Sequence, residues 1–305
     1  MAHDHAHGSL TNSRRLIIAI AIIGSVFVVE VIGALVSGSL ALLADAGHML
    51  SDVTALVIAL VAVAIAARPA TDRRTYGSRR VEVFAAFING SILLAVVVYI
   101  AVEAIRRLVS PGEAEVLGGP MLVVAAIGAL SNVAALLVIR GGAKNSINMR
   151  GAYLEVLGDL VGSVLVIIAA IVVLFTGFVA ADGIASLLIA VLIVPRAIAL
   201  LREAIGVLSE STPPGTDVAL IRDHVLGTSG VVDVHDVHVW AITPGVNVFS
   251  AHVVVEPEVF ADGDTGRLLH ELGDCLSDHF DVEHSTFQLE PADHAAQSNH
   301  DRGHP

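Results

Sequence analysis

The sequence predicts an α-helical membrane protein: a bundle of six transmembrane helices followed by a C-terminal cytoplasmic α/β domain. Three observations carry this. Hydrophobic residues make up 55% of the chain and charged residues only 15%, where a soluble protein carries about a quarter charged residues. Six segments hold the roughly 20 mostly apolar residues that a bilayer-spanning helix requires: residues 16–37, 41–66, 82–108, 119–140, 153–176 and 179–203. Beyond about residue 208 the charges return and apolar residues alternate with polar ones, the texture of strands and amphipathic helices.

The elements follow in order. Residues 1–15 form a polar tail in which His3, His5 and His7 surround Asp4. The apolar run after it is too long for a secretory signal and lacks a small-residue cleavage site. Only Ser37-Gly38-Ser39 separates the first two helices, which predicts a tight hairpin. Basic residues set the orientation. Arg14 and Arg15 precede the first helix. Arg68, Arg73, Arg74, Arg79 and Arg80 lie between the second and third, and Arg140, Lys144 and Arg150 between the fourth and fifth. The opposite loops offer chiefly Arg106 and Arg107, beside Glu113 and Glu115. The positive-inside rule therefore puts both termini in the cytoplasm.

The transmembrane domain spans 16–207 and the α/β domain 208–291. Within the latter, 214–225 reads as a helix, 231–242 and 246–256 as strands, 265–280 as a helix and 282–290 as a last strand. Period-two alternation places Val237, Val239 and Ala241 on one face of the first strand, opposite Asp236, His238 and Trp240. In the last strand Phe287 and Leu289 oppose His284, Thr286, Gln288 and Glu290. Residues 292–305 form a second tail with His294, His300 and His304, and short histidine tracts of this kind gather metal near an entrance.

Several function classes are excluded. The net charge of −13 offers no basic footprint for nucleic acid. Cys275 is the only cysteine, so neither an intrachain disulfide nor a cysteine zinc site can form. There is no Walker-type loop for an ATP-driven pump and no HExxH motif of a zinc protease.

The chemistry lies in two pairs inside the apolar segments: His48 with Asp52, and Glu155 with Asp159. Ionisable groups in membrane helices are costly and mark substrate or proton paths. Residues four apart share a helix face, so two such helices side by side present one imidazole and three carboxylates to one point. That set suits a divalent metal. Metal requires deprotonated ligands, so its binding releases protons and protonation releases metal. Other polar residues have structural readings. Glu30 and Asp182 serve equally as interhelical bonds or as part of a path, Asp45 as a structural or access group, and Asn89, Ser131 and Asn132 as interhelical hydrogen-bond partners.

At these residues the chain resembles the cation diffusion facilitator family of proton-coupled zinc and divalent-metal exporters. ADAGHMLSD resembles the family's second-helix motif with His48 and Asp52 in ligand positions, and VLGDLVGSV its fifth helix with Asp159. RTYGSRRVEVFAAFING, LSESTP, VHDVHVWAITPG and HSTFQLE extend the similarity over roughly 13–291. The resemblance implies a homodimer that exports Zn²⁺, with Cd²⁺, Co²⁺ and Mn²⁺ as further cargoes, in exchange for H⁺; the compact chain and its short loops point to a bacterial inner membrane. It also implies a metallochaperone-like (ferredoxin-like) C-terminal domain, whose regulatory metal ligands fall near His235, His252, His284 and Glu290. One position departs: zinc-transporting relatives have His where this chain has Glu155. Two other classes are also open to these residues, a membrane-embedded metal sensor and an intramembrane metallohydrolase.

Overall fold

A computed structural model describes residues 6–66, 71–110, 115–139, 147–280 and 282–292. The terminal His3, His5, His294, His300 and His304 lie outside these residues, as do Glu113, Arg68, Arg140 and Lys144. The chain divides into two compact units.

The first unit is built from six long helices: α1 (Ala6–Ser37), α2 (Leu40–Ala66), α3 (Arg80–Val109), α4 (Gly118–Ile139), α5 (Ile147–Thr176) and α6 (Ala180–Leu208). All six are long and apolar enough to cross a membrane. Hydropathy marks only their apolar centres. A helix satisfies its own backbone hydrogen bonds and so runs on into polar sequence. This is why α1 starts at Ala6, α5 at Ile147, and α6 continues to Leu208.

Their outer faces carry exposed Leu35, Phe84, Val138, Phe175 and Val191, as suits contact with lipid. Inside, Leu42, Val97, Ile100, Met121, Val166 and Ile193 pack together. In a bilayer this packing, and not the hydrophobic effect, holds helices together, so small residues matter where backbones approach. A Cβ at Gly33 would lie 2.6 Å from Val124 of α4, and one at Gly118 would lie 2.8 Å from the Leu174 backbone nitrogen of α5. Polar clasps add to these contacts. Asn89 of α3 donates to the Ser51 hydroxyl of α2 at 3.0 Å, and Asn132 of α4 to Ser163 of α5 at 3.3 Å. Ser131 differs from expectation: its hydroxyl donates to the Ile127 carbonyl of its own helix at 3.0 Å, the local bond open to any helical serine.

The α1–α2 hairpin turns at Gly38, whose φ is +68°. The first turn of α2 is capped by a side chain from α6. Asp182, fully buried, accepts from the Leu40 and Ala41 amides at 2.8 and 3.1 Å and from the Ser39 hydroxyl at 2.6 Å. Arg107 donates to the Gly38 carbonyl at 2.8 Å and approaches Asp182 to 3.6 Å. Of its two readings, then, Asp182 takes the structural one, satisfying orphan amides at a helix start.

The second unit comprises α7 (Val218–Leu226), β1 (Val231–Thr243), β2 (Val246–Val255), α8 (Pro257–Ala261), α9 (Thr265–Phe280) and β3 (Val282–Pro291), joined by residues 71–83. Strand order is β1-β2-β3, with β1 and β2 antiparallel and β2 and β3 parallel. The parallel step needs a crossover, which α8 and α9 supply. Phe249 of β2 is buried with Ile221, Leu268, Leu272 and Leu276 in the core of this α/β layer pair. β1 departs from strict alternation. Its pairing slips between His235 and His238, and Asp236 has a φ of 50°. Val234 and Val239 are both buried although an odd number of positions apart, while Val237 is only half-buried. An inserted residue of this kind is a β-bulge.

Candidate metal centre

The i,i+4 spacing puts His48 and Asp52 on one face of α2, and α5 brings Asp159 against them. His48 Nε2 lies 2.5 Å from an Asp159 oxygen and 3.4 Å from an Asp52 oxygen. One ligand atom from each of the three falls within 4.8 Å of the others. Two atoms bound to a tetrahedral Zn²⁺ are separated by about 3.3–3.5 Å, given metal–ligand bonds near 2.0–2.2 Å. The His48–Asp52 separation already meets this. The His48–Asp159 contact is that of a hydrogen bond and must open by about an ångström for both to bind one ion.

A cavity of about 480 Å³ lies beside these groups, with Asp45, His48, Glu155, Gly158, Asp159, Gly162 and Arg196 among its lining. A Cβ at Gly158 would meet nothing within 4 Å, so this glycine widens the cavity, whereas a Cβ at Gly162 would lie 3.5 Å from an Asp45 oxygen. Asp45 is buried and faces the Ser163 hydroxyl at 3.4 Å. Glu30 is buried beneath Gly128, where a Cβ would come within 2.6 Å of its Oε1.

Glu155 is placed differently from the other three. It is an exposed residue on the cavity wall and is not among the clustered ligand atoms; its carboxylate is paired with Arg196 of α6. Arg196 also donates to an Asp52 oxygen at 2.6 Å and holds Nη1 3.2 and 3.1 Å from the two ring nitrogens of His48. The sequence reading passed over this residue. Its signal was present, as an arginine directly after Pro195 in the middle of an apolar helix. Spacing within one helix does not reveal its role, because its partners His48, Asp52 and Glu155 lie on α2 and α5.

A second group of metal-ligating side chains forms on the α/β unit. The β1–β2 register sets His235 opposite His252, with ring centroids 5.2 Å apart, and the bulge adds Asp236 to them. Glu290 of β3, almost wholly buried, has its carboxylate 2.8 Å from His252 Nδ1 and 3.6 Å from His235 Nε2. Gln288 donates to the same carboxylate at 2.7 Å. His284 is not part of this group. It pairs in register with Val248 whereas Gln288 pairs with His252, a displacement of four residues or about 13 Å along the strand. Its ring instead packs edge-on against Tyr76 at 5.8 Å.

The comparisons with known proteins cover both units. Residues 16–209 match the family model described as the cation efflux transmembrane domain, and residues 213–292 that of the cation efflux protein, cytoplasmic domain. The metal cation efflux system protein CzcD of Cupriavidus metallidurans is 41% identical over 310 residues, covering 100% of this chain and 94% of its own. The zinc transporter ZitB of Escherichia coli is 40% identical over 297 residues, covering 95% and 93%. The cadmium, cobalt and zinc/H(+)-K(+) antiporter of Bacillus subtilis is 38% identical over 306 residues, covering 99% and 94%.

Proposed function

The chain belongs to the cation efflux family as a multi-pass membrane transporter of divalent metal cations and not an enzyme, and from that membership we propose that it exports Zn²⁺ from the cytoplasm in exchange for H⁺. The observation that carries the proposal is the convergence of His48, Asp52 and Asp159 inside the helical unit, with His48 and Asp159 on the wall of a cavity. An imidazole and two carboxylates make a competent zinc set with a fourth position open. Glu155, on the same wall, is the fourth ligand, recruited when it leaves Arg196. Relatives named for zinc and for cadmium, cobalt and zinc support this cargo class. Carboxylate-rich sites also admit Mn²⁺.

Coupling follows from ligand chemistry. The imidazole and carboxylates bind metal only when deprotonated, so a site that faces the two sides in turn exchanges metal for protons. The basic residues near the helix ends support cytoplasmic termini, which puts the His235, Asp236, His252 and Glu290 group in the compartment that metal leaves. There it serves as a regulatory site that reads cytoplasmic metal. We also assign a homodimer, supported by the match of residues 213–292 to the family's cytoplasmic domain, and a bacterial inner membrane, supported by the bacterial sources of the relatives.

The test is flux in sealed vesicles with an imposed pH gradient, using Zn²⁺, Cd²⁺ and Mn²⁺ in turn. Wild-type protein should move Zn²⁺ only with the gradient, and Asp52→Ala and Asp159→Ala should each abolish it. Glu155→His should shift the preference among the three ions. Gradient-independent flux, or full flux in either aspartate variant, would sink the proposal.

A further inference from the structure

An arginine inside the bilayer is expensive unless its charge is matched. Arg196 meets that requirement by bonding the groups that would bind metal. Its guanidinium donates to Asp52 at 2.6 Å, pairs with Glu155, and lies within 3.2 Å of both nitrogens of His48. The Asp52 carboxylate and the His48 ring are thus shared between two cations, one covalently tethered and one mobile. A planar five-donor fork suits such bridging of several acceptors, where a lysine ammonium acts as a point charge.

We propose that Arg196 is a built-in counter-cation that competes with the transported metal at His48 and Asp52, lowering metal affinity and speeding release. The inference rests on the transport-site reading above and adds a competitor to it. Two consequences follow from the geometry. When metal binds, the guanidinium must release Asp52, the His48 ring and Glu155 together. When metal leaves, the arginine returns to the carboxylates and prevents immediate rebinding. The charge balance agrees. Three carboxylates alone would hold a divalent ion tightly, and one fixed positive charge reduces that grip.

The test is calorimetric Zn²⁺ titration of full-length detergent-solubilised protein at fixed pH. All samples carry His235→Ala and His252→Ala, so that the C-terminal group does not contribute. Arg196→Gln should bind Zn²⁺ about tenfold more tightly or better, because a unit charge within hydrogen-bonding distance of the site is removed. The same variant should transport more slowly at saturating Zn²⁺. A merely structural role predicts the opposite sign, since damage weakens binding. Arg196→Lys keeps the charge but cannot fork over several acceptors, so it should fall between wild type and Arg196→Gln; if Arg196→Gln does not fold, tighter binding by Arg196→Lys carries the test. Unchanged or weaker binding in the folded variants, with Asp52→Ala still abolishing the site, would overturn the inference and leave the transport site standing. Zinc binding that survives Asp52→Ala would instead remove the transport-site reading itself, and the competition with it.

Discussion

Asp45 and Asp52 lie on the same helix about two turns apart, yet their surroundings assign them different work. Asp52 offers an oxygen to the His48–Asp159 cluster, whereas Asp45 lies outside it and faces the Ser163 hydroxyl. Replacing Asp52 with Ala should therefore eliminate saturable zinc binding at this site. Asp45→Asn keeps the shape and one acceptor oxygen, and should weaken binding by about tenfold, as the loss of an outer supporting group typically does. Equilibrium dialysis of the two variants checks the contrast; equal losses would place Asp45 among the ligands. At this scale the sequence was legible wherever an ionisable residue stood against an apolar background with a partner one turn away, which is how His48, Asp52, Glu155 and Asp159 were singled out. It was not legible where the partner came from another helix. Arg196 and Asp182 each act across a helix–helix contact, and nothing in their own segments indicates which helix that is. His235, His252 and Glu290 needed strand register to bring them together, and register also separates His284 from them.

The position of α2 is fixed at its start by a side chain it does not own. Asp182 supplies the acceptors for the first amides of α2, and Arg107 ties the same corner to α3. Asp182→Ala would strip two buried amides and the Ser39 hydroxyl of their acceptor and leave Arg107 with Glu103 as its carboxylate partner. Each orphaned buried group costs about 1–3 kcal/mol. The variant should show a clear drop in Tm in detergent, and Asp182→Asn, with one acceptor oxygen left, a smaller one. No change in either would mean that α2 is held by packing alone. Because the His48–Asp52 face projects from this same helix, Asp182→Ala should also broaden the zinc isotherm without removing a ligand. Element identities were legible because six apolar runs and a period-two tail are strong, repeated signals. Their ends were less so, since hydropathy reports solvent and not backbone hydrogen bonding. The bulge at Asp236 was hidden for a related reason: period-two reading assumes that each residue opposes one partner, and an inserted residue breaks that assumption without changing the composition.

At the scale of the whole molecule the two metal-ligating groups share no residue and belong to separate compact units. Ligands that share neither side chains nor partners contribute independently, so their free energies of binding should add. Full-length protein should accordingly show two saturable classes of Zn²⁺ site. His235→Ala with His252→Ala should delete one class, Asp52→Ala the other, and the combined variant both. The classes should also respond differently to perturbation. The C-terminal group joins strands through His235, His252 and Glu290, so metal there should raise the Tm of that domain, as for any ligand that binds only the folded state, and a chelator should reverse the rise. The helical group must release its ion on every cycle, and the arginine already bonded to its ligands makes the added stabilisation by metal small. A single class that disappears with Asp52→Ala alone would confine metal to the helical unit and reduce the sheet histidines to structural hydrogen-bond partners of Glu290. Two classes with these separate losses would mean that one chain carries both a transient site and a retained one, as a transporter needs if it is to move metal and also sense how much remains.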